Sequence, residues 1–315
     1  MAFSQRLAQA ATLVEVRLAE LFDGLAAADT PPRLVEAMRH AALGGGKRLR
    51  PFLLVECAAL FGVPRERALL AGTALECVHC YSLVHDDLPS MDNDDLRRGQ
   101  PTTHKAFDDA TAILAGDGLL TFAFDLLSRE ETHPSADVRV TLVRELARAS
   151  GLGGMVGGQM LDLAAEGRFD AKAPKPDESG VAALQAMKTG ALIRFACRAG
   201  AILADADKEA LAALDRFGRV IGQAYQIADD LLDVDGDPKL MGKAAGKDAA
   251  AGKATLAGML GPASARKRLD ALVREAVEDG AALAACHDKA RAAEYRQMLA
   301  HVGDLTADGR RKLAH

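Results

Sequence analysis

The stretch Y-S-L-V-H-D-D-L-P-S-M-D at positions 81–92 decides the fold, because a helical apolar pattern runs into a dense cluster of carboxylates there. Pro89 disfavours helical geometry in the residue before it, so we expect the helix to end close to this point. Asp86 and Asp87 then occupy the last helical turn, and Asp92 folds back towards them from the loop. The segment predicts a long helix whose end presents acidic side chains.

The rest of the chain carries the same helical pattern. Aromatic residues make up only 4% of the 315 residues and tryptophan is absent, which favours helices over sheets. Apolar spacing predicts helices over residues 3–25, 32–43, 49–61, 66–88, 107–128, 136–150, 152–165, 178–203, 207–233, 253–258, 262–283 and 288–301. The breaks are of loop length and no repeat is present, so we predict an all-α protein with one domain over residues 1–315.

Charge and cysteine usage exclude several classes of function. A net charge of -5 provides no global basic field for nucleic acid, so any phosphate binding must be local. We expect neither a signal peptide nor a run of ~20 apolar residues able to span a bilayer, which favours a cytoplasmic enzyme. Five cysteines fit a reducing compartment, and we expect Cys77 and Cys80 to be buried thiols, with a redox or zinc role as the weaker alternative.

Two acidic clusters suggest metal binding. The carboxylates of Asp86, Asp87 and Asp92 repel one another, whereas Mg²⁺ binds one or two carboxylates together with phosphate oxygens and water. In the second cluster, D-D-L-L-D at positions 229–233, Asp229 and Asp233 share one helix face, where repulsion costs about 0.2–0.5 kcal/mol unless a cation bridges them. We expect the two clusters to face each other across a central cavity. A solvated acidic loop is the alternative for the first cluster taken alone.

Basic residues suited to diphosphate accompany both clusters. Three glycines at positions 44–46 precede Lys47, Arg48 and Arg50, but Ala41 and Arg48 rule out a Walker A loop. Arginine forks bind phosphate oxygens bidentately while a metal ion takes the others. The candidate diphosphate ligands are Lys47, Arg50, His79, Arg97, Arg98, Lys188, Thr189, Lys243 and Lys253. Simple neutralisation of nearby carboxylates is the alternative for each of them.

A glycine-rich stretch at positions 151–158 does not fit a dinucleotide-binding loop and follows a helical run rather than a strand. We expect close helix packing there. Gln159 and Asp162, one turn apart directly after it, face either the same cavity or the edge of the core. The segment that begins at Asp233 looks superficially like a calcium-binding loop, but its glycine and its twelfth residue do not match.

Six motifs make the chain resemble the trans-type polyprenyl diphosphate synthases, and among them the bacterial farnesyl diphosphate synthases. They are G-G-K-R-L-R-P within residues 44–51, E-C-V-H at 76–79, Y-S-L-V-H-D-D-L-P-S-M-D at 81–92, D-L-R-R-G-Q-P-T-T-H-K at 95–105, M-K-T-G-A-L-I-R at 187–194 and Q-I-A-D-D-L-L-D-V at 226–234. The resemblance covers roughly residues 10 to 300. It implies a helical bundle of the isoprenoid synthase type around a central cavity, and a homodimer.

The resemblance also implies a role for each site residue. Asp86, Asp92 and Asp229 would bind Mg²⁺, or Mn²⁺ in its place, with direct or water-mediated support from Asp87, Asp230 and Asp233. Isopentenyl diphosphate would be held by Lys47, Arg50, His79 and Arg98. The allylic diphosphate would be held by Arg97, Lys188, Thr189, Gln226, Lys243 and Lys253. The implied reaction is ionisation of the allylic diphosphate followed by attack of the isopentenyl double bond, without a nucleophilic side chain.

Product length in such enzymes depends on the depth of an apolar pocket below the first cluster. Tyr81 and Ser82 precede Asp86 by about 6–8 Å along the helix at ~1.5 Å per residue, so Tyr81 can form a floor. The resemblance associates an aromatic residue there with farnesyl diphosphate. A longer product such as geranylgeranyl diphosphate, a terpene cyclase and a regulatory subunit without activity are the alternatives. Asp108, where the family pattern has glycine, and the tail at 302–315 depart from that pattern.

Overall fold

The computed structural model describes residues 3–172, 174–235 and 255–287. The helices are α1 Phe3–Ala27, α2 Pro32–Ala42, α3 Leu49–Ala59, α4 Arg65–Asp86, α5 Thr103–Ala106, α6 Asp109–Ser128, α7 Ala136–Ser150, α8 Met155–Ala165, α9 Glu178–Gln185, α10 Ala191–Leu203, α11 Lys208–Asp235, α12 Leu256–Leu260 and α13 Pro262–His287. The prediction of an all-α fold is confirmed. The helix predicted over residues 288–301 lies outside the described residues.

The chain divides into two compact units. Unit 1 contains residues 3–143 and 202–205, and unit 2 contains the remaining described residues. The prediction of one domain over residues 1–315 stays a prediction.

Helix α4 is the centre of unit 1 and packs against α3 and α6. Its buried residues lie all around the helix, from Ala68 to Val84, as expected for a helix surrounded by protein rather than facing water. Phe22, Phe52 and Leu119 from the neighbouring helices are fully buried in the same core. The acidic end of α4 is therefore fixed by a helix that can shift little.

The end of α4 is where the sequence predicts it. Asp86 is the last helical residue and Asp87 follows as the C-cap. The backbone N–H of Asp92 donates to the carbonyl of Asp86 at 2.8 Å, so the loop does fold back onto the helix end.

A short antiparallel hairpin follows this loop. Strand β1, Leu96–Arg97, pairs with β2, Gln100–Pro101. The two residues between them, Arg98 and Gly99, have φ values of 54° and 79°. Two-residue hairpin turns of this hand favour glycine, which relieves strain at one of the two positions. The hairpin was not predicted, because two-residue strands leave no alternation to detect.

The expected buried thiols are confirmed for the four described cysteine side chains, Cys57, Cys77, Cys80 and Cys197, all free and buried. Burial and the neighbouring Cys80 raise the pKa of the Cys77 thiol. Burial and Glu76 raise the pKa of Cys80 to about 11. Both thiols are therefore protonated at neutral pH, which disfavours redox and zinc chemistry.

Helix α6 is long and apolar enough to cross a membrane by length and composition alone. Half of its most apolar window is buried inside the protein, however, as in a core helix. The charged residues Asp109, Asp117 and Asp125 also recur along it.

In unit 2, α11 packs against α13 and α12, and α8 packs against the turn that links α9 to α10. This turn, Ala186–Gly190, is a π-helix. We call it the π segment. The sequence predicted one continuous helix over 178–203. The structure has α9 and α10 in this range, with the wider turn of the π segment between them. Such turns occur frequently at functional sites, and this one carries Lys188 and Thr189.

The glycine-rich stretch provides the close packing expected of it. A Cβ atom on Gly158 would lie 2.2 Å from the backbone nitrogen of Lys188, so α8 touches the backbone of the π segment at this residue. A Cβ on Gly157 would lie 1.9 Å from the carbonyl oxygen of Leu152. Only glycine fits at either position without a shift of backbone.

Asp108 caps helix α6. Its carboxylate accepts hydrogen bonds from the backbone N–H of Thr111 at 2.7 Å and from the guanidinium of Arg33 at 2.6 Å. These bonds lower the pKa of Asp108 to about 2. The departure from the family glycine therefore has a local structural role, the satisfaction of a helix N-terminus.

We expect Asp108→Ala to lower the stability of the protein at neutral pH, because the cap bond to Thr111 is lost. The pKa of Asp108 falls from 3.8 to about 2 on folding, so its contribution is complete above the higher value and disappears as pH falls towards the lower one. Urea unfolding of the variant and the parent should therefore differ at neutral pH and converge only below pH ~2. The matched control is Asp109→Ala, and an equal effect of both variants would contradict the capping role.

Candidate active site

The first acidic cluster joins half-buried and buried carboxylates. Asp86 and Asp92 are partly exposed, whereas Asp87 is only 3% exposed. Arg97 holds Asp87 in a fork, with its Nε 3.1 Å from one carboxylate oxygen and its Nη2 bonded to the same atom. Arg97 also lies 3.6 Å from Asp94.

The pairing between Arg97 and Asp87 affects the charge of the guanidinium. Burial opposes the charge of Arg97, but the bonds to Asp87 outweigh it and raise the pKa of the guanidinium. Asp87 and Arg97 therefore hold each other, and their expected roles towards a metal ion and a diphosphate stay predictions. Asp86 and Asp92 are more exposed than Asp87.

A second group of cations in unit 1 surrounds the glycine loop. Arg98 donates to the carbonyl of Gly45, and a Cβ on Gly46 would lie 2.6 Å from its guanidinium carbon. Gly46 has a φ of 126°, which also favours glycine. The structure therefore brings Arg98 onto the loop that carries Lys47, although 50 residues separate the two in sequence.

Arg50 and His79 form a pair beside this loop. Arg50 Nη1 lies 3.4 Å from His79 Nε2, and because a guanidinium can only donate, His79 must accept through this atom as a neutral ring. Burial and the charge of Arg50 lower the pKa of His79 well below its ordinary value. His79 is therefore a neutral group that orients Arg50.

Tyr81 lies one helical turn below the cluster, where it is 6% exposed. Its ring meets that of His85 edge-on, with centroids 5.8 Å apart. His85 Nε2 is 3.0 Å from the carbonyl oxygen of Ile113, and a Cβ on Gly116 would overlap the imidazole. Burial raises the pKa of Tyr81 to about 12. The neighbouring Ser82 donates to the carbonyl of His79 at 2.7 Å.

In unit 2, the three carboxylates of the second cluster all lie on α11, with Asp229 exposed, Asp233 partly exposed and Asp230 buried. Asp230 accepts hydrogen bonds from Gln226 at 2.9 Å, from Gln185 at 3.1 Å and from the backbone N–H of Leu256 at 3.0 Å. Burial raises the pKa of Asp230 in spite of these bonds.

The oxygens of Asp230 are therefore occupied by protein donors from α9, α11 and α12. Gln226 donates to Asp230, and its expected contact with the allylic diphosphate stays a prediction. Asp229 and Asp233 are the members of the cluster that face outward.

Lys188 lies on the π segment and its Nζ is 2.5 Å from the carboxylate of Asp162 on α8. Asp162 thus holds the ammonium group that was expected to bind the allylic diphosphate. Thr189 follows it on the same segment and is partly exposed. Lys243 and Lys253 lie outside the described residues.

The residues match a known family over most of the chain. The family model described as Polyprenyl synthetase matches residues 31–291. The chain belongs to the polyprenyl synthetase family. Its prediction as a prenyl diphosphate synthase is confirmed.

Individual members of the polyprenyl synthetase family are close to the chain. The farnesyl diphosphate synthase of Escherichia coli (strain K12) is 44% identical over 278 residues, 88% of this chain and 90% of that protein. A chloroplastic geranylgeranyl pyrophosphate synthase of Catharanthus roseus is 41% identical over 251 residues, 79% of this chain and 68% of its own. The apo structure of a FPP/GFPP synthase from Zymomonas mobilis has a TM-score of 0.80 at 46% identity, covering 95% of this chain and 97% of that one.

The chemistry of the donor set in this polyprenyl synthetase fits magnesium. Asp86, Asp92, Asp229 and Asp233 offer the carboxylate oxygens that hard cations prefer. Within the described ranges, no three acidic, His or Cys side chains converge closely enough to hold an ion by themselves. A cation held by either cluster would complete its shell with water and diphosphate oxygens, as Mg²⁺ commonly does.

We expect Gly158→Ala to destabilise the protein by about 1–3 kcal/mol, because the new methyl group would press on the backbone of Lys188. Urea denaturation measures this difference. The matched control is Gly153→Ala in the same stretch, where a Cβ meets no atom within 4 Å. Equal stabilities of the two variants would show that α8 can move away from the π segment.

Proposed function

We propose that the chain condenses isopentenyl diphosphate with dimethylallyl diphosphate and then with geranyl diphosphate, giving farnesyl diphosphate. The observation that carries the proposal is the same arrangement in both units: outward carboxylates beside cations that the protein holds in place. In unit 1, Arg97 is held by Asp87 and lies close enough to Asp86 to feel its charge. In unit 2, Lys188 is anchored by Asp162, and the π segment that carries it packs against α11, the helix of Asp229 and Asp233. The Escherichia coli relative, named a farnesyl diphosphate synthase, supports the product.

The proposed roles separate direct contacts from support. Asp86, Asp92, Asp229 and Asp233 hold the cations, while Asp87 and Asp230 support the geometry from buried positions. Isopentenyl diphosphate is bound by Lys47, Arg50, His79 and Arg98. The allylic diphosphate is bound by Arg97, Lys188, Thr189, Gln226, Lys243 and Lys253. Arg97 and Gln226 also position carboxylates, those of Asp87 and Asp230.

The protein's part in the reaction is electrostatic. When the allylic C–O bond breaks, its electron pair leaves with the diphosphate, and cationic side chains stabilise that growing negative charge. The double bond of isopentenyl diphosphate then attacks the allylic cation to form the new C–C bond. The released diphosphate removes the proton that restores a double bond. The outward carboxylates would hold Mg²⁺, which when bound would further neutralise the leaving group.

Three further features belong to the proposal. The cations are Mg²⁺, with Mn²⁺ as a substitute, and more than one is needed to engage both clusters. The protein works as a homodimer in the cytoplasm. Both clusters are retained, which favours an enzyme over a regulatory subunit without activity.

The longer product is the second candidate. A relative named a geranylgeranyl pyrophosphate synthase is 41% identical to the chain, so family membership alone does not fix chain length. The bulk of the buried Tyr81 below the first cluster favours the shorter product.

The direct test incubates the purified protein with isopentenyl diphosphate, Mg²⁺ and either dimethylallyl or geranyl diphosphate. We expect farnesyl diphosphate from both, loss of activity with a chelator, and a fall of about 100-fold or more in Asp229→Asn. Product chain length is read by chromatography. The matched control is Asp170→Asn, an exposed residue of the α8–α9 loop. Absence of condensation by protein with native helical circular dichroism would refute the proposal.

We expect Tyr81→Ala to lengthen the product, because it removes the buried ring below Asp86. Geranylgeranyl and longer diphosphates should then replace farnesyl diphosphate as the main product. Tyr81→Phe, which keeps the ring, serves as the control and should retain the parental product. An unchanged product distribution in Tyr81→Ala would assign Tyr81 to packing alone.

A further inference from the structure

Unit 2 contains a cavity of about 260 Å³ bordered by the α9 to α10 region, α11, α12 and α13. Ala182, Ile227, Leu256, Leu260 and Leu272 give it a largely apolar wall. Its volume is close to the lower end of small-molecule sites, about 300 Å³. The cavity therefore suits a short apolar molecule.

The same cavity is bordered by arginines. Arg219 and Arg268 line it and are exposed, and neither forms an ion pair with any residue in the described part of the chain. Arg194, which also lines it, differs in being held by Asp215 through two bonds of 2.7 Å. The lining holds one carboxylate, that of Glu178, against three guanidinium groups. Because guanidinium groups bind carboxylates and phosphates bidentately, Arg219 and Arg268 favour an anionic group on the bound molecule.

The cavity is also bordered by all three residues that hold Asp230. Gln185, Gln226 and Leu256 line it, and each donates a hydrogen bond to that carboxylate. Gln185 is 9% exposed, and its Oε1 has no hydrogen-bond partner among the described residues. Its Nε2 must face Asp230, because a carboxylate can only accept.

The cavity touches the diphosphate-binding machinery on a second side. Met187 and Gly190 of the π segment line it, and Lys188 and Thr189 lie between them in sequence. A molecule in the cavity would pack against the supports of Asp230 and of the π segment without touching Asp229.

We propose that this cavity is a regulatory site for a small amphipathic anion, with an apolar chain against the leucines and a carboxylate or phosphate on Arg219 and Arg268. Occupancy steadies Gln185, Gln226 and the π segment, and so strengthens binding at the second acidic cluster. The coupling rests on the proposed function, whereas binding itself does not. By linkage, each ligand must change the affinity of the other by the same factor.

Binding is tested first, with octanoate as the probe and titration calorimetry as the measurement. We expect octanoate to bind, and octanol and acetate to bind at least about tenfold more weakly, because each lacks one half of the recognised chemistry. Octyl phosphate in place of octanoate shows which anionic group the arginines prefer.

Matched variants locate the site. Ala182→Leu fills the cavity and Arg268→Ala removes a cation, so each should weaken octanoate binding at least about tenfold. Ala183→Leu and Lys267→Ala change exposed neighbours on the same helices and should bind octanoate like the parent. Equal binding by Ala182→Leu and the parent overturns the site.

Coupling is tested by titrating octanoate with and without Mg²⁺ and inorganic diphosphate. We expect about fivefold tighter binding in their presence, and the same factor when diphosphate is titrated against octanoate. An unchanged affinity overturns the regulatory role. Failure of the condensation assay with octanoate still bound would reject the proposed function alone, whereas normal condensation without octanoate binding would reject this inference alone.

Discussion

The organisation of unit 1 depends on one buried charge, the guanidinium of Arg48. Burying it is unfavourable unless acceptors surround it. Glu15 of α1 and Glu76 of α4 provide carboxylates, with Glu76 at 2.5 Å, and the carbonyl of Ala42 accepts as well. Burial opposes the charge, but Glu76 and the other acceptors outweigh it, so the pKa of Arg48 lies above its ordinary value. The glycine loop is thereby fixed between α1 and α4.

This anchor explains why Arg48 differs from the cations on either side of it. Its side chain turns inward from a left-handed backbone with φ of 47°, while Lys47 is exposed and Arg50 pairs with His79. Unit 2 also contains a buried charged group held by hydrogen bonds, but there the group is an anion rather than a cation. There the buried charge is Asp230, and neutral donors hold it while Asp229 faces outward. In each unit a buried group positions an exposed neighbour.

The sequence predicted the parts of the structure that local chemistry determines. Pro89 fixes the end of α4, the spacing of Asp229 and Asp233 fixes their shared helix, and the glycines at 157 and 158 mark close packing. The partners of Arg48, Lys188 and Asp230 were not predicted, because such pairs form between residues far apart in the chain. Glu76 is 28 residues from Arg48, and Gln185 is 45 residues from Asp230.

Asp162 shows how much of this could have been detected. The sequence marked it as a polar residue beside the glycine-rich stretch, but not as the partner of Lys188. The available signal was the position of Asp162 directly after glycines that indicate close packing. The π segment, which carries Lys188, has no sequence pattern that predicts it. A five-residue π-helix uses the same residue types as the helices around it.

Tyr81 and Asp86 belong to one uninterrupted helix, so α4 fixes the distance between them along its axis. The spacing between the ring and the acidic cluster is set by backbone geometry, about 7.5 Å for five residues, and cannot adapt to a longer chain. Cys77 lies one turn further along the same helix face and is fully buried. Depth below the cluster therefore changes in steps of one turn, about 5.4 Å, rather than continuously. A pocket whose depth changes by whole helical turns would distinguish prenyl chains that differ by whole five-carbon units.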